Sequence, residues 1–163
     1  MSASPRATAG FMLASPAHLV AMGFGTGLSP FAPGTVGTLL GFPLYWLLAQ
    51  WLSPLGILAV AVPLFALGAW ACQRTGRALG VADHGSMVWD EVVAFLVVLA
   101  FTPHTLGWQL AAFFLFRFFD VVKPPPVRYF DRTLKNGFGV MFDDLLAAVY
   151  TLVTLAVAVR LFG

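Results

Sequence analysis

The sequence predicts an all-α protein, a small polytopic helical membrane protein, and three observations carry that prediction. The chain of 163 residues is 60% hydrophobic and 10% charged, with a mean hydropathy of +0.87, whereas soluble domains carry roughly 25% charged residues. A water-soluble core of this size cannot hide so much apolar surface, so the hydrocarbon of a bilayer takes the rest. No Asp, Glu, Lys or Arg occurs from Ala7 to Gln73, or from Val92 to Phe116. Finally, these runs are cut by helix-ending turns at Ser53-Pro54 and Thr102-Pro103-His104. The length predicts one domain over residues 1–163.

Taken in chain order, the N-terminus has one basic residue, Arg6, and no clean small-residue cleavage site, so it reads poorly as a cleaved signal and is expected to stay attached. The Gly/Pro-rich stretch Gly23 to Thr38 is too broken for a plain spanning helix and is expected to be an interfacial or re-entrant segment. Gly34 to Leu52 and Leu55 to Gln73 then form a helical hairpin, followed by helices at Met87 to Phe101 and Leu106 to Val122. The last run, Leu145 to Phe162, crosses about 27 Å at 1.5 Å per residue. About five membrane-spanning helices result. With the N-terminus in the cytoplasm, Arg6, Arg74, Arg77, Lys123, Arg128, Arg132 and Lys135 all fall on the inner side, and only Arg160 lies across the membrane.

The composition excludes several functions. A net charge of +2 with no basic face or tail argues against nucleic acid as a partner. The single Cys72 cannot form an intramolecular disulfide, and no Cys or His pair has zinc-ligand spacing. A metal would have to be held by oxygen.

Four polar stretches carry the chemistry. In HGSMVWDE, His84 to Glu91, two adjacent carboxylates stand at the mouth of a helix, where ionisable groups face a cavity and find partners or ions. The first-turn macrodipole also suits Asp90 and Glu91, and Ser86 suits an N-cap. His84 has the chemistry of a general acid or base, and equally that of a hydrogen-bonding loop residue. In RFFDVVKPPPVRYFDR, Arg117 to Arg132, Arg117 and Asp120 share a helix face and the prolines end that helix at the interface. Lys123, Arg117 and Arg128 suit a phosphate group, or a snorkelling anchor. In GFGVMFDDLLA, Asp143 and Asp144 form a second acidic pair at the start of the last crossing; with a phosphate, such carboxylates make the usual Mg²⁺ ligand set. In GFGTGLSPFAPGTVGT, Gly23 to Thr38, glycine backbone and the hydroxyls of Ser29 and Thr35 can converge on an anion, or the small residues can serve close helix packing. Together these stretches put acids, cations and a glycine-rich loop at one membrane boundary, as a site for a phosphorylated lipid would need.

In this order and spacing, the four stretches resemble the phosphatidylglycerophosphatase A family of bacterial inner membranes, from about Pro16 to Ala148. The resemblance implies a Mg²⁺-dependent phosphatase that releases inorganic phosphate from phosphatidylglycerophosphate and leaves phosphatidylglycerol, at the cytoplasmic face. A thiol phosphatase is excluded because Ala78 stands where an Arg must follow Cys72 by six. The expected mechanism has Mg²⁺ held by carboxylates among Asp90, Glu91, Asp143 and Asp144, with Asp120 a further ligand. Lys123, Arg117 and Arg128 hold phosphate oxygens, and Ser29 and Thr35 add donors. His84 protonates the leaving oxygen, with Asp131 or a water as alternatives. Asp90 and Lys123 count as catalytic, and water or a carboxylate is the nucleophile. The rival expectation is a non-enzymatic transporter or lipid-binding protein with ion-coupled carboxylates, whose polar residues belong near the bilayer midplane.

Overall fold

A computed structural model of the chain describes residues 6–163, and among them all regular structure is helical. Two short helices, α1 (Ala9–Leu13) and α2 (Pro16–Ala21), lead through a 3-10 turn at Gly23–Leu28 to α3 (Pro33–Leu39) and α4 (Gly41–Leu48). The long α5 (Pro54–Leu79) is followed by α6 (Trp89–Ala100), α7 (Leu106–Val122), the short α8 (Val127–Thr133) and the long α9 (Gly137–Phe162).

Local chemistry sets these boundaries. Ser53 caps α5, its hydroxyl accepting from the Gly56 amide at 3.1 Å with Pro54 in the first turn, and Gly80 ends that helix in the left-handed region. The helix therefore runs six residues past the expected end at Gln73. Asn136 caps α9 by accepting from the Gly139 amide at 2.8 Å, so that helix begins eight residues before the expected Leu145. As a result Asp143 and Asp144 lie in its second turn, where helix capping cannot explain them. The first expected crossing, Gly34 to Leu52, is two helices that meet at Leu40. Ser86 does not cap α6, whose N-cap is Val88.

The core is organised around α6. Every residue of this helix except half-buried Glu91 is buried, enclosed by α3, α4, α5, α7 and α9. Its Phe95 meets Phe42 and Phe116 at ring separations of 5.1 and 5.7 Å, tying α4 and α7 to it. A helix hydrophobic all round is an interior helix, and at 12 residues α6 is only about 18 Å long at 1.5 Å per residue. By length and composition two helices, α5 and α9, are suited to crossing a membrane. The expectation of five is met to that extent; α6 and α7 fall short of the roughly 20 apolar residues a free-standing span needs.

Small residues let the helices close up. A Cβ on Gly68 would stand 2.6 Å from both Met141 and the Trp89 ring, and one on Gly37 would meet Val88. A Cβ on Gly137 would run into the Ala69 carbonyl, and the Gly137 amide donates to Gln73 Oε1 at 2.7 Å, joining α9 to α5. The glycine-rich segment is likewise packed: the Val88 amide donates to the Ala21 carbonyl at 2.8 Å, and Gly27 lies against the Ser86 backbone. Close packing is therefore what these glycines serve. His18 bonds Thr75 Oγ1 at 2.9 Å and stacks on Phe11, joining α2 to α5.

These contacts predict opposite outcomes at two glycines. Gly137→Val is expected to cost about 1–3 kcal/mol, because the obstructing atoms are backbone. Gly107→Ala, with nothing within 4 Å of the added methyl, is expected to leave stability unchanged or raise it by up to about 1 kcal/mol. Thermal unfolding of the two variants in detergent checks the contrast.

Candidate active site

A cleft of about 400 Å³ opens at the end of the bundle where α6 begins and α7 finishes. It is lined by Ala32, Pro33 and Gly34 of the α3 start, by Asp83, His84, Gly85 and Met87 of the loop before α6, by Asp90 and Glu91, by Arg117, Asp120 and Lys123, and by Asp144. Four separate stretches of sequence thus meet in one place, and α6 is the element that holds them in register.

Three carboxylates form the centre. Glu91 from α6, Asp120 from α7 and Asp144 from α9 bring one oxygen each to within 4.8 Å of one another. Asp90, Asp120 and Asp144 are buried, and Glu91 is half-buried. Buried negative charges so close together repel unless a cation or protons join them. Asp120 has a further disadvantage: it sits in the last turn of α7, where the helix dipole disfavours negative charge. Arg117, one turn earlier, compensates in part. Its Nη1 donates to Glu91 Oε1 at 2.9 Å and also to Asp120 Oδ2.

One guanidinium does not satisfy the cluster. Asp90 Oδ1, Glu91 Oε2 and Asp144 Oδ2 are buried without a hydrogen-bond partner, as is Arg117 Nε. Such atoms are rare and ask for an explanation. An all-oxygen, carboxylate-rich set is the donor chemistry of a hard divalent cation, so the residues present fit one. Gly34 shapes the same centre, because a Cβ there would run into Glu91 Oε1 and Arg117 Nη2.

A second ionic group flanks the first. Lys123 Nζ donates to Asp131 Oδ1 at 2.8 Å and to Asp143 Oδ2 at 2.6 Å, joining the end of α7 to α8 and α9. Burial alone would lower the Lys123 pKa, but the Asp143 charge and these two hydrogen bonds outweigh it and hold the ammonium above its ordinary value. Asp131 moves the other way: burial would raise it, and the hydrogen bond and charge of Lys123 pull it below the ordinary carboxylate range.

The structure therefore sorts the residues expected from the sequence. His84, Asp90, Glu91, Arg117, Asp120, Lys123 and Asp144 line one cleft. Asp143, expected as a metal ligand, turns away from the cluster to Lys123, and its Oδ1 accepts from the Asp144 amide at 3.0 Å. Asp131 stands behind Lys123 beside Asp83 and Lys135, lining a separate small cavity rather than the cleft. Arg128, expected on a phosphate, is exposed and donates to the Val122 carbonyl at 3.2 Å at the end of α7. Ser29 folds onto its own turn, donating to the Phe31 carbonyl at 2.8 Å, and neither it nor Thr35 lines the cleft. The glycine-rich segment reaches the site through Ala32 to Gly34 instead. Sequence reasoning passed over Gly34 and Asp83, although Asp83 directly precedes His84 and Pro33-Gly34 opens a helix.

An open cleft that sets clustered carboxylates beside an arginine and a lysine, at one end of a helical bundle, has the donor set to hold a divalent metal and a phosphate together. The sequence model of the family described as phosphatidylglycerophosphatase A matches residues 19–159. A Haemophilus influenzae protein named phosphatidylglycerophosphatase A is 52% identical over 143 residues, covering 86% of this chain and 87% of its own. An Escherichia coli protein of the same name is 42% identical over 139 residues, covering 84% and 80%. A Bacteroides thetaiotaomicron protein, provisionally named a phosphatidylinositol-3-phosphatase, is 41% identical over 153 residues, covering 89% and 94%. No solved structure matches the chain. The chain belongs to the phosphatidylglycerophosphatase A family.

The lysine bridge gives a prediction with a definite pH sign. Lys123, raised in the fold, contributes stability that is whole below its ordinary value of 10.5 and is lost only as the pH climbs through the raised one. Asp131, depressed, contributes stability that is whole above 3.8 and is lost as the pH falls through the lower value. Lys123→Met leaves Asp143 buried without its cation and is expected to cost about 3–5 kcal/mol. Thermal unfolding of the variant beside the wild type at neutral pH checks this loss, and an unchanged midpoint means that the bridge carries no stability.

Proposed function

We propose that this member of a phosphatase family hydrolyses the terminal phosphate monoester of phosphatidylglycerophosphate, with Mg²⁺ as its metal. The observation that carries the metal assignment is the convergence of Glu91, Asp120 and Asp144 within 4.8 Å, with bare buried oxygens on Glu91 and Asp144. Mg²⁺ in that position would neutralise phosphate charge and make a water more acidic.

The protein groups divide the remaining work. Lys123 has three N–H donors, of which two are taken by Asp131 and Asp143, and the third is available to a phosphate oxygen. Arg117 keeps Nε and Nη2 uncommitted, the side-on pair that binds two oxygens at once. Asp90 lies in the same cleft outside the three-carboxylate cluster, and its bare Oδ1 is placed to take a proton from the attacking water. His84 Nδ1 accepts from the Ser86 amide at 3.1 Å, which puts the proton of the neutral ring on Nε2. That N–H is free to donate a hydrogen bond to the leaving glycerol oxygen, which takes its proton from a water. The new P–O bond thus forms from water as the ester P–O bond breaks, and the proton taken by Asp90 passes on through a water to the leaving oxygen, which His84 holds by a hydrogen bond.

In the membrane, we place the single domain of residues 1–163 as five crossings, formed by α3 with α4, by α5, α6, α7 and α9. α6 is covered by protein on every side and so does not need the length of a lipid-exposed span. Exposed Arg74, Arg77, Arg128, Arg132 and Lys135 gather at the cleft end, which supports a cytoplasmic site in a bacterial inner membrane. The same clustering disfavours a transporter, whose polar groups belong at the midplane.

Phosphate release by the purified protein in detergent tests the reading. EDTA is expected to abolish release from phosphatidylglycerophosphate and Mg²⁺ to restore it. Asp144→Asn, Glu91→Gln and Asp120→Asn are each expected to lower kcat by at least about 100-fold with helical content retained. Full turnover in EDTA, or in Asp144→Asn, removes the carboxylate centre from the mechanism. Phosphatidylinositol 3-phosphate, run alongside, is expected to be the poorer substrate; faster release from it overturns the headgroup assignment.

A further inference from the structure

We propose that the apolar groove between α5, α6 and α9 holds an acyl chain of the lipid whose headgroup enters the cleft. This rests on the reading of the cleft as a lipid phosphatase site and adds a second binding surface to it. The groove has a volume of about 340 Å³, and its nine lining side chains are all apolar, among them Ala61, Phe65, Val93, Val97, Phe142 and Leu145.

The groove is continuous with the site along α6. Val93 and Val97 follow Asp90 by three and seven residues, so all three share a helix face. That face presents a carboxylate to the cleft and, one and two turns deeper, valines to the groove. On α9 the step is one residue, from Asp144 in the cleft to Leu145 in the groove. A lipid has the same order, with its charged group at the boundary and its chain in the hydrocarbon.

The walls favour a hydrocarbon occupant. α5 and α9 are the two helices of membrane length, and exposed Val62 stands on the α5 side of the groove, so the opening faces lipid. The lining offers no partner to an amide or a hydroxyl, and an acyl chain needs none. A second copy of the chain would need far more surface, since stable protein interfaces use about 20–30 residues a side and the groove supplies nine.

Two measurements on the full chain test the proposal. Val62→Trp narrows the groove from its exposed side with little risk to the core, and Ala61→Phe fills it from within. For both, the ratio of kcat/KM for dioleoyl phosphatidylglycerophosphate to that for its dibutyroyl analogue is expected to fall about tenfold. An unchanged ratio overturns the groove even while hydrolysis continues. The second measurement does not depend on turnover. Phosphatidic acid bearing a diazirine near the end of one long acyl chain is expected to label the groove segments of α6 and α9, and Val62→Trp to suppress that labelling. Labelling spread evenly over outward residues such as Leu110 and Phe114, or a dimer in detergent that shields the groove from the probe, overturns the proposal. If the wild type hydrolyses neither ester but the groove is labelled, the phosphatase reading has failed and the chain site stands.

Discussion

The interior of this bundle holds more negative charge than its own cations can balance, and much of the structure answers to that imbalance. Asp90, Glu91, Asp120, Asp143 and Asp144 are buried or nearly so, against Arg117 and Lys123. Burying an ion costs several kcal/mol unless it is paired and hydrogen-bonded, and removing a charge into hydrocarbon costs more. Lys123 and Asp143 satisfy each other, and Arg117 serves Glu91 and Asp120. What remains unbalanced is Asp90, Asp144 and the second oxygen of Glu91. The surplus sits in an open cleft rather than deep in the core, where a cation and an anionic substrate can complete it together.

The scaffold keeps that surplus in place. α6 is covered on its sides by α3, α4, α5, α7 and α9 and shows almost no surface of its own. Glycines at 37, 68 and 137 allow this enclosure, and Gly34 lets the start of α3 lie against the Glu91–Arg117 pair. Glycines at these contacts let the helix backbones approach more closely than any side chain would allow. The rigidity of the site is thus a property of helix contacts well outside it.

The sequence made the all-helical class legible, together with the gathering of acids and cations at one end, because charge exclusion leaves a plain record in composition. It also brought seven of the expected side chains to one cleft. Adjacent acids were harder to separate. Asp143 and Asp144 are neighbours in the chain, yet one residue of α-helix rotates the side chain by about 100°, which sends one to Lys123 and the other to the cluster. Such a division depends on how α9 is rotated against α7, a tertiary fact. α9 begins ahead of its apolar run because the Asn136 cap and contact with α5 make Gly137 and Gly139 helical. Arg128, Ser29 and Thr35 had suitable chemistry and fell outside the cleft, since residue type says nothing about which way a turn faces.

Backbone conformation at the cleft adds a last constraint. Ala32 has φ 41° and Lys123 φ 47°, both in the left-handed region, both lining the cleft and both directly before a proline. A left-handed residue with a Cβ costs roughly 1–2 kcal/mol, and a following proline favours extended backbone instead. Such conformations persist where surrounding contacts over-determine them. At Lys123 those contacts are visible: its amide donates to the Phe119 carbonyl at 2.9 Å while its ammonium is held by Asp131 and Asp143. At Ala32 the carbonyl accepts from the Val36 amide at 3.1 Å and so opens α3. Each strained residue ends one direction of the chain abruptly, one to set Gly34 over Glu91 and the other to turn a lysine back toward α9. A relaxed chain at either point would carry the helix or loop onward past the carboxylates, so the strain is located where the site needs its two walls to stop.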